Sequence, residues 1–136
     1  MKISYIANSS CPSHLPSSLQ IVKTCEYLSK HGNEVHLIIP NTASIKLSVE
    51  KFYDIKFKFN IIRLLRFKKF PLGIDYYLFS FLAFLKARRI SEMIITRNYF
   101  VIFLCSIFKK KCVIELHGDM SNESRIVRSI FSVFKI

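Results

Sequence analysis

Glycine is scarce in this sequence of 136 residues: there are three, and the first is Gly32. A dinucleotide-binding fold needs glycines in the loop after its first strand, because side chains would block the close approach of the backbone to a pyrophosphate. The Gly-x4-Gly-Lys-Ser/Thr pattern of a P-loop is absent as well. These absences argue against a nicotinamide, flavin or P-loop nucleotide cofactor.

Cysteine is present, but it lacks the spacings that mark a metal site. Cys11, Cys25, Cys105 and Cys112 form no Cys-x-x-Cys pair and no Cys/His knuckle. Zinc sites and disulfide frameworks both depend on such spacings. We therefore expect buried, reduced thiols and no bound metal.

Long hydrophobic runs are also missing. The longest uncharged run in the apolar centre covers residues 76–85, about half of the ~20 residues that a membrane-spanning helix needs. The apolar run at residues 3–7 is too short for a secretory signal and lacks a small-residue cleavage site. The sequence thus predicts a cytoplasmic protein that is not secreted and does not cross a bilayer.

Acidic residues are few. The 9 Asp and Glu are outnumbered by 21 Lys and Arg, which gives a formal net charge of +12, while 51% of the residues are hydrophobic. Apolar bulk combined with basic charge favours contact with anionic membranes or acidic ligands. The basic residues are scattered and no nucleic-acid motif appears, so we expect no nucleic-acid partner.

Two segments, residues 56–69 and 76–89, mix basic with large apolar side chains. Such segments suit peripheral contact with anionic lipid at the inner face of the cell membrane. The alternative for the second segment is that its apolar side chains pack on a sheet. The side chains concerned are Leu78, Phe81, Leu82 and Leu85.

Short apolar runs alternate with longer amphipathic stretches along the chain. The runs predict strands at residues 2–8, 34–39, 61–67, 93–96 and 112–117. The stretches predict helices that begin at Ser17 and that cover residues 74–89, 99–109 and 122–134. The first helix has a capping-box pattern at Ser17 and Gln20, and Gly32 stands where a left-handed C-cap belongs.

This alternation predicts an α/β protein. Strands that are apolar on both faces need helices on both sides of a parallel sheet. We predict one Rossmann-like domain over residues 1–136 with a mostly parallel sheet. A doubly wound sheet usually continues beyond this point, so we expect these residues to form the first part of a longer architecture.

Ligands of open parallel sheets bind beyond the carboxyl ends of the strands, where the strand order reverses. The loop at residues 8–18 opens the first helix, whose N-terminal amides attract an anion. Arg97 follows the fourth strand, and its planar fork suits a phosphate or carboxylate. Strand alternation sends Glu115 and His117 to one face at the end of the fifth strand.

The chemistry of these side chains leaves alternatives open. At the rim of the sheet, His117 suits a proton carrier or a donor to an oxyanion or phosphate; the alternative is a packing or capping histidine. The alternative for Arg97 is a surface salt bridge with Glu92 or Asp119.

Three segments resemble the N-terminal half of bacterial GT-B glycosyltransferases of family 4. The first 40 residues contain Gln-x-x-Lys-x-x-Glu-x-Leu from Gln20 and then Gly-x-Glu-Val from Gly32. The segments IITRNYF and CVIELHGDM are similar to that family's fourth and fifth strands with their Thr-Arg and Glu-x-His-Gly ends. The three segments occur in the family's order and cover nearly the whole chain.

The resemblance implies a retaining transfer of a sugar from a nucleotide-sugar donor to a glycan or a polyprenyl-diphosphate-linked acceptor in bacterial surface polysaccharide synthesis, without a metal. In that family the N-terminal domain binds the acceptor. Carried over by position, His117 faces the transfer site, and Arg97 and Glu115 line the acceptor cleft. Ser17 and Ser18 take the place of a glycine pair near the donor phosphates.

The resemblance also implies a donor-binding C-terminal domain, which residues 1–136 do not include. We therefore expect little or no transferase activity from these residues alone, and a donor domain acting in trans is one arrangement. The alternative is a non-enzymatic Rossmann-like binding subunit that pairs with a separate donor-domain chain.

Overall fold

The computed structural model describes residues 1–42, 45–66 and 73–115. Strands and helices alternate through these ranges. The strands are β1 (Lys2–Ile6), β2 (Glu34–Pro40), β3 (Asn60–Leu64), β4 (Met93–Thr96) and β5 (Lys111–Ile114). The helices are α1 (Pro16–Lys30), α2 (Val49–Phe52), α3 (Ile74–Ile90) and α4 (Tyr99–Ile107).

The strands form one parallel sheet in the order β3-β2-β1-β4-β5. Tyr5 of β1 lies opposite Leu37 of β2 on one side and Ile95 of β4 on the other. The chain adds β2 and then β3 on one side of β1, and it adds β4 and then β5 on the other side. This topology confirms the predicted α/β, Rossmann-like class and puts the reversal of strand order between β1 and β4.

Alternate residues of the central strands enter separate cores on the two faces of the sheet. Tyr5 packs with Ile21 and Cys25 of α1 on one face. Ile6 packs with Phe84 of α3 on the other face, where α4 also lies. Each large apolar side chain that is fully buried in this way stabilises the fold by about 1.5–3 kcal/mol. Helices therefore cover both faces, as the apolar strands predict.

The first helix begins at Pro16, so the predicted capping box is wrong. Leu15 is the N-cap and makes no side-chain cap hydrogen bond. Proline suits the first helical position because its φ is preset and its missing N–H would have no partner there. Gly32 has a φ of +83°, which confirms the left-handed residue expected at the end of α1.

Several predicted boundaries differ from the structure by one to three residues, and one helix is unpredicted. The third strand ends at Leu64, before the predicted end at residue 67. Helix α2 is capped by Ser48, whose side chain accepts from the Lys51 N–H, and it buries Val49. Four residues are too few to show a helical period. The end of the predicted fifth strand, with His117, and the predicted helix at residues 122–134 lie outside the described residues.

The packing alternative for the apolar side chains of α3 is wrong for Phe81 and Leu82 but is confirmed for Leu85, which packs against the core on the α3 face of the sheet. The apolar side chains that α3 buries toward the sheet are Phe79, Ala83, Phe84 and Ala87. Phe81 is 39% exposed and Leu82 is 37% exposed. A helix that is apolar nearly all round gives no periodic signal to distinguish the two sides. Within the described ranges, no helix is both long enough and apolar enough to cross a membrane.

Candidate functional site

A cavity of about 170 Å³ lies where the strand order reverses. The loop after β1 and the loop after β4 form two of its walls, and α1 and α3 contribute one side chain each. Its lining residues are Ile6, Ala7, Asn8, Ser9, Ile21, Tyr76, Arg97 and Asn98. This is the position at which open parallel sheets bind their ligands.

Arg97 and Glu115 form an ion pair beside this cavity. Nη2 of Arg97 lies 3.1 Å from Oε1 of Glu115, and the Arg97 Nε–H donates to Oε2 at 3.3 Å. The two side chains are 19% and 25% exposed. Tyr5 reaches the same carboxylate from beneath and donates its hydroxyl to Oε2. Three neighbouring strands thus bring a cation, an anion and a phenol together.

The electrostatics of this trio keep the arginine charged and the phenol neutral. Burial, reinforced by the hydrogen bond to Glu115, raises the pKa of Tyr5 above its ordinary value. Burial on its own would lower the pKa of Arg97, but the hydrogen bond to Glu115 and the charge of that carboxylate leave it raised. Arg97 therefore presents a permanent positive charge at the rim of the cavity.

Asn98 organises the buried side of the cavity and is 5% exposed. As the N-cap of α4, its Oδ1 accepts from the backbone N–H of Phe100 at 2.9 Å and of Val101 at 3.3 Å. Its Nδ2 donates to the hydroxyl of Ser80 in α3 and, at 3.5 Å, to Oδ1 of Asn8. One amide therefore connects α4, α3 and the loop after β1.

Thr96 completes this network at the end of β4. Its hydroxyl donates to the Ile6 carbonyl at 3.0 Å and accepts from the Asn98 N–H at 3.0 Å. The loops after β1 and β4 are thus held to each other directly. A site built on such fixed loops needs little reorganisation to bind a ligand.

The two serines predicted near a donor phosphate occupy the first turn of α1. Ser18 is fully buried, and its hydroxyl donates to the Ser10 carbonyl at 3.0 Å and accepts from the Ser13 hydroxyl at 2.7 Å. Ser17 is partly exposed. In this arrangement the Ser18 side chain holds the shape of the loop, whereas Ser17 is only partly covered.

The same loop is fastened from the β3 side of the sheet. Tyr53 accepts a hydrogen bond from the Ser13 N–H at 2.9 Å and donates to the Ser13 carbonyl at 2.8 Å. The Arg63 guanidinium donates to the Cys11 carbonyl at 2.9 Å. A segment without glycine keeps its shape through these hydrogen bonds from distant side chains.

Sequence reasoning placed some of these residues and missed others. Arg97 and Glu115 lie at neighbouring strand ends as expected, and the partner of Arg97 is Glu115, not Glu92. Asp119 and His117 lie outside the described residues. Tyr5 was missed because a strand tyrosine gives no sign of a partner so distant in sequence. Asn98 carried a signal, since asparagine directly before a helix is a preferred N-cap.

Comparison with known proteins adds no family assignment. No protein-family model matches the chain, and no curated protein matches it. Within residues 1–42, 45–66 and 73–115, no group of three or more potential metal-ligating side chains occurs together.

Proposed function

We propose that these residues form the acceptor-binding side of a retaining glycosyltransferase that acts on polyprenyl-diphosphate-linked acceptors. The observation that carries the proposal is the position of Arg97, held by Glu115 at the rim of the cavity between the ends of β1 and β4. The order of the three family-like segments supports the same function.

A diphosphate suits the donors that this rim presents. Arginine binds phosphate oxygens through two parallel N–H groups. Among the described residues, Nη2 of Arg97 finds no well-aligned hydrogen-bond acceptor although it lies close to Glu115. We propose that this buried N–H becomes a donor to the acceptor diphosphate when it binds, while Glu115 fixes the position of the guanidinium.

The transfer itself requires a second half that holds the nucleotide-sugar donor, either in the same chain or supplied in trans. In the transfer, the bond between the anomeric carbon and the donor's diphosphate oxygen would break, a bond from that carbon to the acceptor oxygen would form, and the proton of the acceptor hydroxyl would pass to the departing nucleoside diphosphate. His117 remains the proposed polar group nearest this reaction. The residues that bind the acceptor would hold its hydroxyl in place and exclude water from it.

The exposed side of α3 supports peripheral contact with an anionic membrane, where such acceptors reside. Ile74, Tyr77, Phe81 and Leu82 are 47%, 53%, 39% and 37% exposed, and Lys86 lies one turn after Leu82 on the same side. Apolar side chains enter the lipid interface while neighbouring lysines and arginines attract its negative charge.

Acceptor binding is tested by calorimetric titration with a water-soluble probe, a short prenyl diphosphate linked to one N-acetylhexosamine. The wild-type chain is expected to bind it, and Arg97→Ala to weaken binding roughly 10- to 100-fold, because a charge-assisted hydrogen bond is lost. Arg89→Ala removes the same charge at the opposite end of the sheet and should leave the affinity unchanged. Equal affinities for all three proteins contradict the proposal.

Membrane contact is tested separately by sedimentation with vesicles that contain phosphatidylglycerol. Leu82→Ser should reduce the bound fraction, whereas Leu19→Ser, a leucine of α1 that is 45% exposed, should not. Added salt should weaken binding because the lipid charge is screened. Identical behaviour of the two variants would remove α3 from the proposed contact.

A further inference from the structure

Two cysteines on the far side of the sheet share one cavity. Cys105 of α4 and Cys112 of β5 both line a space of about 180 Å³. The neighbouring lining residues include Lys110, and Cys112 lies opposite Ile94 in the sheet. Cys105 belongs to the core on this face of the sheet, and Cys112 packs against the same core. This pair plays no part in the site described above.

The two sulfurs are not equivalent. Cys105 is 2% exposed, whereas Cys112 is partly exposed. The hydrogen bond from Cys105 lowers the pKa of Cys112 against the opposing effect of burial. The same hydrogen bond, followed by burial, raises the pKa of Cys105. Cys112 is therefore the sulfur that is more readily a thiolate, the nucleophilic form.

The other two cysteines lack this combination. Cys25 of α1 and Cys11 are fully buried in one core, and burial raises the pKa of both thiols. A buried thiol in apolar surroundings is slow to react. Of the four cysteines, Cys112 alone combines partial exposure with a lowered pKa.

We propose that Cys105 and Cys112 form a peroxide-sensitive dithiol that closes to a disulfide between α4 and β5. The Cys112 thiolate attacks one oxygen of hydrogen peroxide, its sulfur becomes sulfenic acid, and the O–O bond breaks to release hydroxide. The Cys105 thiol then attacks the Cys112 sulfur, a disulfide forms and water leaves. Sulfur loses two electrons and peroxide gains two.

The two cysteines lie on elements that also carry residues of the candidate site, so oxidation would affect that site whatever ligand it binds. Helix α4 begins after Asn98, and β5 ends directly before Glu115. A disulfide would fix the distance between these two elements. A disulfide requires two cysteines whose Cα atoms lie within about 7 Å, and the packing of α4 on β5 brings these two cysteines to one cavity.

The experiment treats the folded chain with hydrogen peroxide and follows its thiols by alkylation and mass spectrometry. Trypsin cleaves after Lys109, Lys110 and Lys111, which separates the two cysteines, so the disulfide appears as two peptides that reduction releases. The expected result is loss of two hydrogen atoms per chain and a cross-link between Cys105 and Cys112.

Two variants separate the roles of the sulfurs. Cys105→Ser removes the second step, so the sulfenic acid at Cys112 should persist and be captured by dimedone. Cys112→Ser should leave Cys105 reduced. Cys25→Ser is the matched control and should form the disulfide as the wild type does. An unchanged mass after peroxide, or a cross-link that involves Cys11 or Cys25, would overturn the proposal.

Discussion

Arg97 and Glu115 join the carboxyl ends of β4 and β5, with Nη2 of the arginine 3.1 Å from Oε1 of the carboxylate. The other carboxylate oxygen accepts the hydroxyl of Tyr5 from the centre of β1. Because all three side chains are at least partly removed from water, each depends on the others for its hydrogen bonds. The ion pair therefore holds the carboxyl ends of the strands together and is also part of the candidate site.

Loss of the Tyr5 hydroxyl should destabilise the fold at the carboxyl ends of these strands. Tyr5→Phe keeps the ring in the core but removes a hydrogen bond to a charged group, and we expect the free energy of unfolding to fall by about 1–2 kcal/mol. Urea denaturation measures the change. Tyr27→Phe, at a tyrosine that is 63% exposed, should change it by less than about 0.5 kcal/mol. Equal effects would show that the Tyr5 hydroxyl does not stabilise the carboxyl ends of these strands.

Asn98 should be the most sensitive polar residue of the cavity. Asn98→Ala removes the cap of α4 and leaves the Ser80 hydroxyl without its donor, so we expect a loss of about 2–3 kcal/mol. Ser48→Ala, which removes the cap of the short helix α2, is the matched control and should cost less than about 1 kcal/mol. A smaller loss at Asn98 than at Ser48 would contradict its connecting role.

The two sides of α3 should respond differently to the same truncation. Phe84 is fully buried between α3 and the sheet, so Phe84→Ala should destabilise by about 3–5 kcal/mol through loss of burial and a residual cavity. Phe81→Ala should cost less than about 1 kcal/mol because its ring is 39% exposed. Thermal denaturation compares the two, and similar losses would mean that Phe81 faces a core.

Acid should weaken the contact between α1 and the segment before β3. The Glu26 carboxylate accepts a hydrogen bond from Nζ of Lys23 at 2.8 Å and another from the backbone N–H of Lys56 at 2.7 Å. The hydrogen bond from Lys23 lowers the pKa of Glu26 below its ordinary value. A carboxyl with a lowered folded pKa stabilises the fold above its unfolded pKa, about 4.3, and this contribution disappears as the pH falls through the folded pKa.

Glu26→Gln isolates that effect. The variant should be less stable than the wild type at pH 7, and the difference should shrink as the pH is lowered below about 4. Glu50→Gln is the control, at an exposed glutamate in α2. A difference between wild type and Glu26→Gln that does not change with pH would show that Glu26 stabilises the fold through its shape and not its charge.

The sheet could be predicted because its signals are local and repeated. Ile3, Tyr5 and Leu37 belong to short apolar runs that only a covered sheet can bury. The start of α1 shows where local signals are weaker. Pro16 and Ser17 are neighbours and both are preferred at the start of a helix, so the sequence pattern does not decide which of them begins it. The exposed side of α3 was ambiguous because Phe81 and Phe84 are chemically identical and differ only in what they face.

The candidate site was less predictable, because its parts come from distant segments. Arg97 and Glu115 could be assigned to strand ends, and parallel topology brought them together. Tyr5 and Glu115 are separated by 110 positions, and no local pattern records that contact. The shared cavity of Cys105 and Cys112 similarly depends on how α4 packs on β5, which a search for Cys-x-x-Cys spacing does not detect.

The most direct test of the central claim is to map the binding of the short prenyl-diphosphate sugar by backbone amide NMR. We predict that the largest shifts fall on Asn8, Ser9, Arg97 and Asn98 at the ends of β1 and β4, and that Arg97→Ala needs roughly 10- to 100-fold more ligand to produce the shifts at Asn8, Ser9 and Asn98. Shifts confined to the outer side of α3, or shifts at the strand ends that follow the same titration curve in Arg97→Ala as in the wild type, would contradict an acceptor site built on the Arg97–Glu115 pair.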